Sequence, residues 1–241
     1  MNCSCHEQVC LSRWSNIDRK SFSDKKQEIT TALNGNTGII SGVNQQTYLD
    51  IFYMLLFCLC VPQSRAVLSQ KAVDLLRSAR FHDVDLKETE VETILRKLVR
   101  FQSTKANRLI EAKRVFFTTS FWTLLCEYYN DNCVNNCVNS NEQKMQILYD
   151  CRVFLIYTIS GMGFKVASHF MRNIGMHGLA ILDVHILDGL KKRCVISDVK
   201  LTPKNYQNIE QKMLQYSSFV GLSVDQLDLL LWSEKTGFVF K

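Results

Sequence analysis

Proline, long apolar runs and alternating apolar patterns are scarce in this sequence, and each absence narrows the class of protein. Only 2 of the 241 residues are proline, and no stretch alternates apolar and polar residues long enough to predict a strand. Helix-forming residues are abundant, so the sequence predicts an all-α fold. The longest apolar run, 51–61, is too short to cross a bilayer, and no signal segment is evident. We expect a soluble, intracellular protein without a membrane partner, in the cytoplasm of a prokaryote or the nucleus of a eukaryote.

The ten cysteines do not form a recognisable disulfide or metal framework. Those inside apolar helical stretches are expected to be reduced core thiols, and a four-cysteine iron–sulfur loop is excluded because only Cys194 follows Asp183. Two other clusters lack the paired spacing of established zinc sites, so we expect no metal and no cofactor. The core thiols are Cys58, Cys60, Cys126 and Cys151, and the clusters comprise Cys3, Cys5, His6 and Cys10, and Cys133 with Cys137.

The charge of the chain favours an anionic partner. The formal net charge is +6, which suits nucleic acid but is also common among mildly basic enzymes. The distribution is more informative, because seven cations and a single anion, Glu111, lie between positions 96 and 114. This basic run is either a phosphate-facing surface or a solvated helix face. Its cations are Arg96, Lys97, Arg100, Lys105, Arg108, Lys113 and Arg114.

A Gly-x-Gly turn between two apolar stretches predicts a helix-hairpin-helix motif over residues 151–175. Gly161 and Gly163 form a turn too tight for a side chain, and the second helix begins near Lys165. Gly175 gives the signal for the end of that helix. In such a motif, the hairpin amides and the N-terminus of the second helix bind a DNA phosphate. The sequence therefore predicts Gly161 and Gly163 as phosphate-binding residues.

Lys165 and Asp183 have the residue types that a covalent attack on a sugar requires. Lys165 lies in the first turn of its helix, where the positive field and partial burial favour the neutral amine, a nucleophile. A carboxylate such as Asp183 can stabilise an oxocarbenium-like sugar and assist proton transfer, which suits attack at C1′ of a deoxynucleotide. The expected product is a Schiff base, and its rearrangement permits β-elimination.

Each candidate also has a structural interpretation. Lys165 could contact a phosphate or be solvated, and Asp183 could simply cap the helix that follows it. His169 and His185 lie in apolar helical contexts without an evident partner, which favours structural roles for both.

Two aromatic residues far from the hairpin, Phe101 and Trp232, are candidates for stacking on an extruded base. Chemistry on a base in duplex DNA requires flipping into an aromatic-lined pocket. Core packing is the alternative for both residues.

Apolar periodicity predicts the other helices, and Thr104 is predicted to cap one of them. Residues 1–44 are polar and weakly periodic, and they form an N-terminal extension that we expect to be partly flexible. The predicted helical spans besides the hairpin helix are 45–61, 65–79, 87–100, 105–129, 142–160, 183–194, 204–219 and 223–234.

Two long motifs and several short ones are similar to those of a known family. The long motifs are Gly161-x-Gly163-x-Lys165-x-Ala167-Ser168-His169-Phe170-x-Arg172-Asn173-x-Gly175 and Ala180-Ile181-Leu182-Asp183-x-His185-Ile186-Leu187. The short ones are Phe57-Cys58, Pro62-Gln63-Ser64, Arg100-Phe101, Lys105-Ala106 and the ending from Trp232 to Lys241. Together they resemble the small, cluster-free 8-oxoguanine DNA glycosylase/AP lyases typical of archaea and some bacteria.

This resemblance implies a bifunctional enzyme acting on double-stranded DNA that contains 8-oxoguanine, as a monomer and without a cofactor. Lys165 would be the Schiff-base nucleophile and Asp183 the catalytic carboxylate. Phe101 and Trp232 match positions that sandwich the flipped base. In the family the chain ends in lysine and its terminal carboxylate helps recognise the damaged guanine, so Lys241 is predicted to bind the base.

The family fold implies two α-helical subdomains with the active cleft between them. Subdomain A is expected to combine 45–80 with 195–241. Subdomain B is expected to comprise 81–194, with the hairpin at 151–175, and the extension 1–44 precedes both.

Lys105, within the basic run, is predicted to bind a DNA phosphate together with the hairpin glycines. Two alternatives to the 8-oxoguanine enzyme remain. One is a non-catalytic helix-hairpin-helix DNA-binding module, in which Lys165 only contacts phosphate and Asp183 only caps. The other is a glycosylase for another damaged base, such as an oxidised pyrimidine, or for a mispaired adenine.

Overall fold

The computed structural model describes residues 25, 27–30, 45–129 and 141–237 of the chain. All regular secondary structure within these residues is helical, which confirms the predicted all-α fold. Residue 25 and residues 27–30 are helical, and ten longer helices follow in the described part of the chain. They are α1 (Gln45–Cys60), α2 (Ala66–Ser78), α3 (Glu88–Leu95), α4 (Gln102–Phe116), α5 (Thr119–Tyr129), α6 (Asn141–Thr158), α7 (Phe164–Asn173), α8 (Val184–Lys192), α9 (Tyr206–Val220) and α10 (Val224–Thr236).

One predicted helix is in fact two. The sequence predicts a single helix over 105–129, whereas α4 and α5 are separated at Phe117 and Thr118. The Thr118 hydroxyl donates to Val115 O at 2.7 Å and accepts from the Phe121 amide at 3.4 Å. These bonds end one helix and support the start of the next, so the prediction of a single helix is wrong.

The start of α4 also differs from the prediction. Thr104 lies inside the first turn, and the helix begins directly after Phe101, whose backbone is left-handed with a φ of 58°. The capping role predicted for Thr104 is therefore wrong, because the chain enters this helix through a left-handed residue without a side-chain cap. The preceding helix α3 ends at Leu95, earlier than expected, and Lys97 is left-handed as well.

Contacts divide the chain into two compact units. We call 38–176 the central unit, which holds α1–α7, and we call 1–37 with 177–241 the terminal unit, which holds α8–α10. This division differs from the subdomain boundaries expected from the sequence, in which 45–80 joined 195–241. Those boundaries stay a prediction about the family's subdomains.

Helix α1 is the buried centre of the central unit, and α2, α4 and α7 pack against it. Its residues Phe52, Leu55 and Leu56 have no exposed surface, and full burial of such a side chain contributes about 1.5–3 kcal/mol. The ring of Phe52 also packs against Phe81 and Phe116. This aromatic cluster ties α1 to α4.

In the terminal unit, α8 packs closely against α10. Gly189 of α8 allows this approach, because a Cβ there would lie 3.1 Å from Cδ2 of Leu231. At the end of the same helix, Arg193 pairs with Glu234 of α10 at 2.8 Å. The helix that follows Asp183 is therefore fixed along its length to α10.

Several predictions concern thiols, metals and membranes. Cys58, Cys60 and Cys151 are free and buried, and Cys126 is free and half-buried, as expected for reduced thiols. Among the described residues, no group of three His, Cys, Asp or Glu side chains could hold a metal ion. Within 45–129 and 141–237, every helix is too short or too polar to span a bilayer.

Some predicted features lie outside the described residues. They are most of the N-terminal extension, both cysteine clusters outside the helices, and Lys241.

Candidate DNA-binding and catalytic site

The hairpin predicted from the Gly-x-Gly turn is present in the central unit. Helix α6 ends at Thr158, the Met162 amide donates to Ile159 O at 3.2 Å within the turn, and Gly163 is the N-cap of α7. The first-turn amides of any helix lack acceptors within that helix. The exposed turn at Gly163 thus presents backbone donors and the positive end of a helix dipole to solvent.

The two glycines of the hairpin are needed for different reasons. Gly161 has a left-handed φ of +80°, and an added Cβ would lie 2.4 Å from Cδ of Arg108. Gly163 has extended backbone with a φ of −111°, and nothing lies within 4 Å of an added Cβ. The prediction that the turn is too tight for a side chain is correct at Gly161 and wrong at Gly163. A side chain at Gly163 would meet only an approaching ligand.

We expect Gly163→Ala to weaken DNA binding while the protein stays folded. A methyl group fits the free protein, so the free energy of unfolding should fall by about 1 kcal/mol or less, the usual cost of alanine at an N-cap. The same methyl group would keep a phosphate away from the turn amides. Losing one such contact should raise the Kd for duplex DNA about tenfold in fluorescence anisotropy.

Gly161→Ala is the matched comparison for that measurement. It places a side chain on left-handed backbone and displaces Arg108, so it should reduce stability as well as binding. An unchanged Kd for Gly163→Ala would remove this glycine from the phosphate site.

The basic run does not form one uniform surface. Lys113 donates to Asp85 Oδ1 at 2.8 Å and to Val84 O at 3.0 Å, which occupies its charge within the protein. The Arg108 side chain instead lies directly over Gly161 of the hairpin, where an added Cβ would come within 2.9 Å of its Cζ. The run therefore supplies the guanidinium of Arg108 directly at the turn, while Lys113 stabilises the fold.

Lys165 lies half-buried in the first turn of α7, close to α1. Burial raises the pKa of the Cys58 thiol of α1, and the positive charges of Arg172 and Lys165 oppose that rise. Helix α7, which carries Lys165, packs against α1.

Buried polar residues anchor α7 to α1. His169 packs edge-on against Phe57, with 5.9 Å between ring centroids, and is 8% exposed. The Asn173 side-chain amide donates to Met54 Sδ at 3.2 Å. These contacts agree with the structural role predicted for His169.

One buried arginine that contacts the second helix of the hairpin was not predicted from the sequence. Arg152 of α6 has no exposed surface, and its guanidinium carbon lies 5.1 Å from the ring centroids of both Tyr149 and Phe164. It also donates to Ser168 Oγ at 3.2 Å. It therefore contacts α7 on either side of Lys165 in the sequence. A cation within an otherwise apolar stretch was the available signal.

Asp183 caps α8 in the terminal unit. Its Oδ1 accepts from the amides of His185 at 2.9 Å and Ile186 at 3.0 Å, which confirms the capping interpretation. The two bonds fix the orientation of the carboxylate. Capping does not exclude a catalytic role, which stays a prediction.

Trp232 is a half-buried residue of α10, the helix that packs against α8. Asp183 and Trp232 thus belong to the same unit, on neighbouring elements. Stacking of Trp232 on a base stays a prediction.

Phe101 lines a surface cavity of about 560 Å³ in the central unit. The residue is 52% exposed, and Arg100 Cζ lies 5.6 Å from its ring centroid. Phe101 shares its left-handed backbone with Gln63 and Lys97, which line the same cavity. Such backbone is sparsely populated by residues other than glycine and clusters at ligand sites. Core packing is therefore wrong for Phe101, and base stacking stays a prediction.

Lys105 is a buried structural cation and not a surface one. It is 3% exposed, and burial lowers its pKa. Its ammonium donates to Cys60 O at 2.5 Å, Pro62 O at 2.8 Å and Ser64 Oγ at 2.9 Å. These bonds use all three of its donors, so the predicted phosphate-binding role is wrong. Ser64 Oγ also accepts from the Arg100 amide at 2.9 Å, which links Lys105 to the backbone next to Phe101.

We expect Lys105→Met to destabilise the protein without removing a phosphate contact. The change leaves two carbonyls and a hydroxyl without their shared donor, which should lower the free energy of unfolding by about 1–3 kcal/mol in urea titrations. The salt dependence of duplex binding should keep its slope, because that slope counts neutralised phosphates.

Lys113→Met is the control on the same helix, and its loss of stability should be smaller because its partner Asp85 is fully in solvent. A shallower salt slope for Lys105→Met with unchanged stability would restore the phosphate-binding role.

The predicted site residues divide between the two units. Gly161, Gly163, Lys165 and Phe101 belong to the central unit, and Asp183 and Trp232 to the terminal unit. Lys241 lies outside the described residues, so its role stays a prediction.

Two solved structures that share this fold are 8-oxoguanine DNA glycosylases. The enzyme of Thermotoga maritima matches with a TM-score of 0.75 and 22% identity, covering 96% of this chain and all of that one. The 8-oxoguanine glycosylase/lyase of Methanocaldococcus jannaschii, solved in complex with a 15mer DNA containing 8-oxoguanine, matches with a TM-score of 0.69 and 23% identity. That match covers 92% of this chain and 98% of that one.

Sequence comparisons lead to the same family. The 8-oxoguanine DNA glycosylase/AP lyase of Fusobacterium nucleatum subsp. nucleatum is 34% identical over 198 residues, 81% of this chain and 84% of that protein. The enzyme of the same name from Aquifex aeolicus is 31% identical over 193 residues, 79% of this chain and 78% of that protein. The sequence profile of the family described as 8-oxoguanine DNA glycosylase matches residues 40–222. The chain belongs to the 8-oxoguanine DNA glycosylase family.

Proposed function

We propose that this protein is a bifunctional DNA glycosylase/AP lyase that excises 8-oxoguanine from duplex DNA in base excision repair. The observation that carries the proposal is the position of Lys165. It lies in the first turn of a helix whose N-cap, Gly163, is an open backbone surface. A phosphate held at that turn would bring the adjoining sugar to the amine.

DNA binding begins at the hairpin. The turn amides and the dipole of α7 hold one phosphate at Gly161 and Gly163, and the nearby guanidinium of Arg108 adds positive charge. None of these contacts reads a base, so they set the register of the duplex and leave recognition to other residues.

Recognition requires the damaged nucleotide to leave the stack. Phe101 offers an exposed ring at a cavity of the size that a small ligand occupies. Trp232 is the proposed second stacking partner, and Lys241 the proposed polar contact to the guanine.

The chemistry follows from an amine and a carboxylate. The lone pair of the Lys165 amine forms a bond to C1′ while the C1′–N9 bond breaks. The electron pair of the C1′–N9 bond leaves with the base, and the base takes up a proton. Asp183 stabilises the positive charge that develops on the sugar and assists proton transfer.

The enzyme remains covalently attached after base release. The attached nitrogen loses a proton, and its lone pair then forms the C1′=N bond while the C1′–O4′ bond breaks. O4′ takes up a proton and becomes a hydroxyl, which leaves a protonated Schiff base. Loss of a proton from C2′ then expels the 3′ phosphate, which is the β-elimination of an AP lyase. No step requires a cofactor.

A panel of duplexes tests which base the protein excises. Base release from an 8-oxoguanine duplex should exceed release from the guanine duplex by about 100-fold or more, as expected where a site hydrogen-bonds its substrate. Duplexes with an oxidised pyrimidine or with adenine opposite guanine should remain poor substrates. Borohydride should trap a covalent complex on the 8-oxoguanine duplex.

The panel also separates the two alternatives. Salt-dependent binding without release of any base would indicate a non-catalytic DNA-binding module. Preferred release of another base would keep the enzyme and change its lesion.

The proposed substrate also bears on where and in what form the protein acts. It would work in the compartment that holds DNA, the cytoplasm of a prokaryote or the nucleus of a eukaryote. We propose a monomer, which light scattering of the free protein tests directly.

A further inference from the structure

We propose that Tyr206 and Glu210 of α9 are positioning residues that hold Asp183 in place for catalysis. They act through the segment 179–182, which leads directly into the aspartate. This inference rests on the proposed catalytic role of Asp183, and the experiment below separates the failure of one from the failure of the other.

The segment 179–182 is buried yet irregular. Leu179, Ala180, Ile181 and Leu182 are each exposed by 5% or less, and none of them belongs to a helix. Buried backbone amides and carbonyls need hydrogen-bond partners. A segment outside regular structure has no ladder or helical turn to supply them.

Side chains of α9 provide these partners. The Ala180 amide donates to Glu210 Oε1 at 3.0 Å, and Glu210 has no exposed surface. The Tyr206 hydroxyl donates to Ala180 O at 2.8 Å and accepts from the Leu182 amide at 3.2 Å. Two side chains one helical turn apart thus bind three backbone groups in the residues just before Asp183.

A second carboxylate extends the same arrangement toward the start of the segment. Asp225 of α10 is 3% exposed, and its Oδ2 accepts from the Gly178 amide at 3.0 Å. The path of the chain from Gly178 to Leu182 is therefore set by side chains of α9 and α10 together.

The position of Asp183 is restrained by the residues that precede it and by the helix that follows it. Its own cap bonds tie the carboxylate to the first turn of α8, and α8 is packed against α10. The remaining freedom lies in the backbone that enters the cap. Tyr206 and Glu210 remove that freedom, because a shift of the segment would break bonds to both.

The central test is Tyr206→Phe, which keeps the ring and removes one donor and one acceptor. We expect the single-turnover rate of 8-oxoguanine release to fall about 10-fold to 100-fold, the range that a displacement near 1 Å produces. The Kd for the duplex should stay unchanged, because the hairpin is in the other unit. Rates are measured well below the melting temperature of each variant.

A double-mutant cycle separates positioning from general destabilisation. In an Asp183→Asn background, Tyr206→Phe should reduce the rate further by less than about twofold, because its effect passes through the carboxylate. If the rate of the double variant fell by the product of the two single-variant losses, the proposal would be overturned. Ser217→Ala is the control on α9, because this buried hydroxyl bonds only Leu214 O of its own helix among the described contacts and should leave the rate unchanged.

Two substitutions of Glu210 separate the effect of side-chain length from the effect of charge. Glu210→Asp keeps the charge but shortens the side chain, so it should lose activity as Tyr206→Phe does. Glu210→Gln keeps the length and an oxygen acceptor, so its rate should stay within about threefold of the parent. Equal losses in both variants would contradict positioning. Full activity of Asp183→Asn would instead refute the catalytic role on which the inference rests.

Discussion

Lys165→Gln is expected to abolish both base release and covalent trapping on an 8-oxoguanine duplex. Glutamine has nearly the same length but no nucleophilic lone pair, so neither the bond to C1′ nor the Schiff base can form. Removing a covalent nucleophile should lower the rate of base release by about 10³-fold or more. Because Lys165 is only half-buried, the variant should fold and still bind the duplex.

The control for this experiment is Lys71→Gln, which removes an exposed lysine of α2 in the same unit. It should leave release and trapping at the level of the parent protein. Denaturing gels after borohydride treatment give the trapped fraction, and anisotropy gives the Kd. A full yield of trapped complex with Lys165→Gln would assign the nucleophile to another amine.

Asp183→Asn is expected to separate catalysis from capping. The asparagine side-chain oxygen can still accept from the His185 and Ile186 amides, and asparagine is as good an N-cap as aspartate. The melting temperature should therefore stay close to that of the parent. Removing the charge should lower the rate of base release by about 10²-fold to 10⁴-fold, the usual contribution of a catalytic carboxylate.

Asp183→Ala is the matched variant, because it removes the cap along with the charge. It should lose a similar factor in rate and also about 1 kcal/mol in the free energy of unfolding. If Asp183→Asn retained full activity while Asp183→Ala lost stability, Asp183 would be a helix cap and nothing more.

Features that depend on neighbouring residues were predictable from the sequence. The hairpin, the helix that starts after Gly163 and the cap at Asp183 each depend on residues within one or two helical turns. Phe101 was only partly predictable from the sequence. Its place in a family motif indicated a site residue, but the left-handed backbone that presents its ring was not encoded in any periodic pattern.

Features that depend on distant partners were not predictable. Lys105 belongs to a basic run, which suggested DNA, but its three acceptors lie 41 to 45 residues earlier in the chain. Composition reports the charge of a lysine and not its burial. The bonds from Tyr206 and Glu210 to the segment before Asp183 likewise span 24 to 30 residues. Their residue types gave no signal of that role.

The left-handed backbone at Gln63, Lys97 and Phe101 has a consequence for the entropy of binding. Each such residue holds a conformation that costs on the order of 1 kcal/mol or more, and all three line one cavity. The chain therefore loses this conformational freedom when it folds and not when a ligand arrives. A flipped base would enter a cavity whose walls are already ordered, so little of its binding free energy would be spent on arranging the protein.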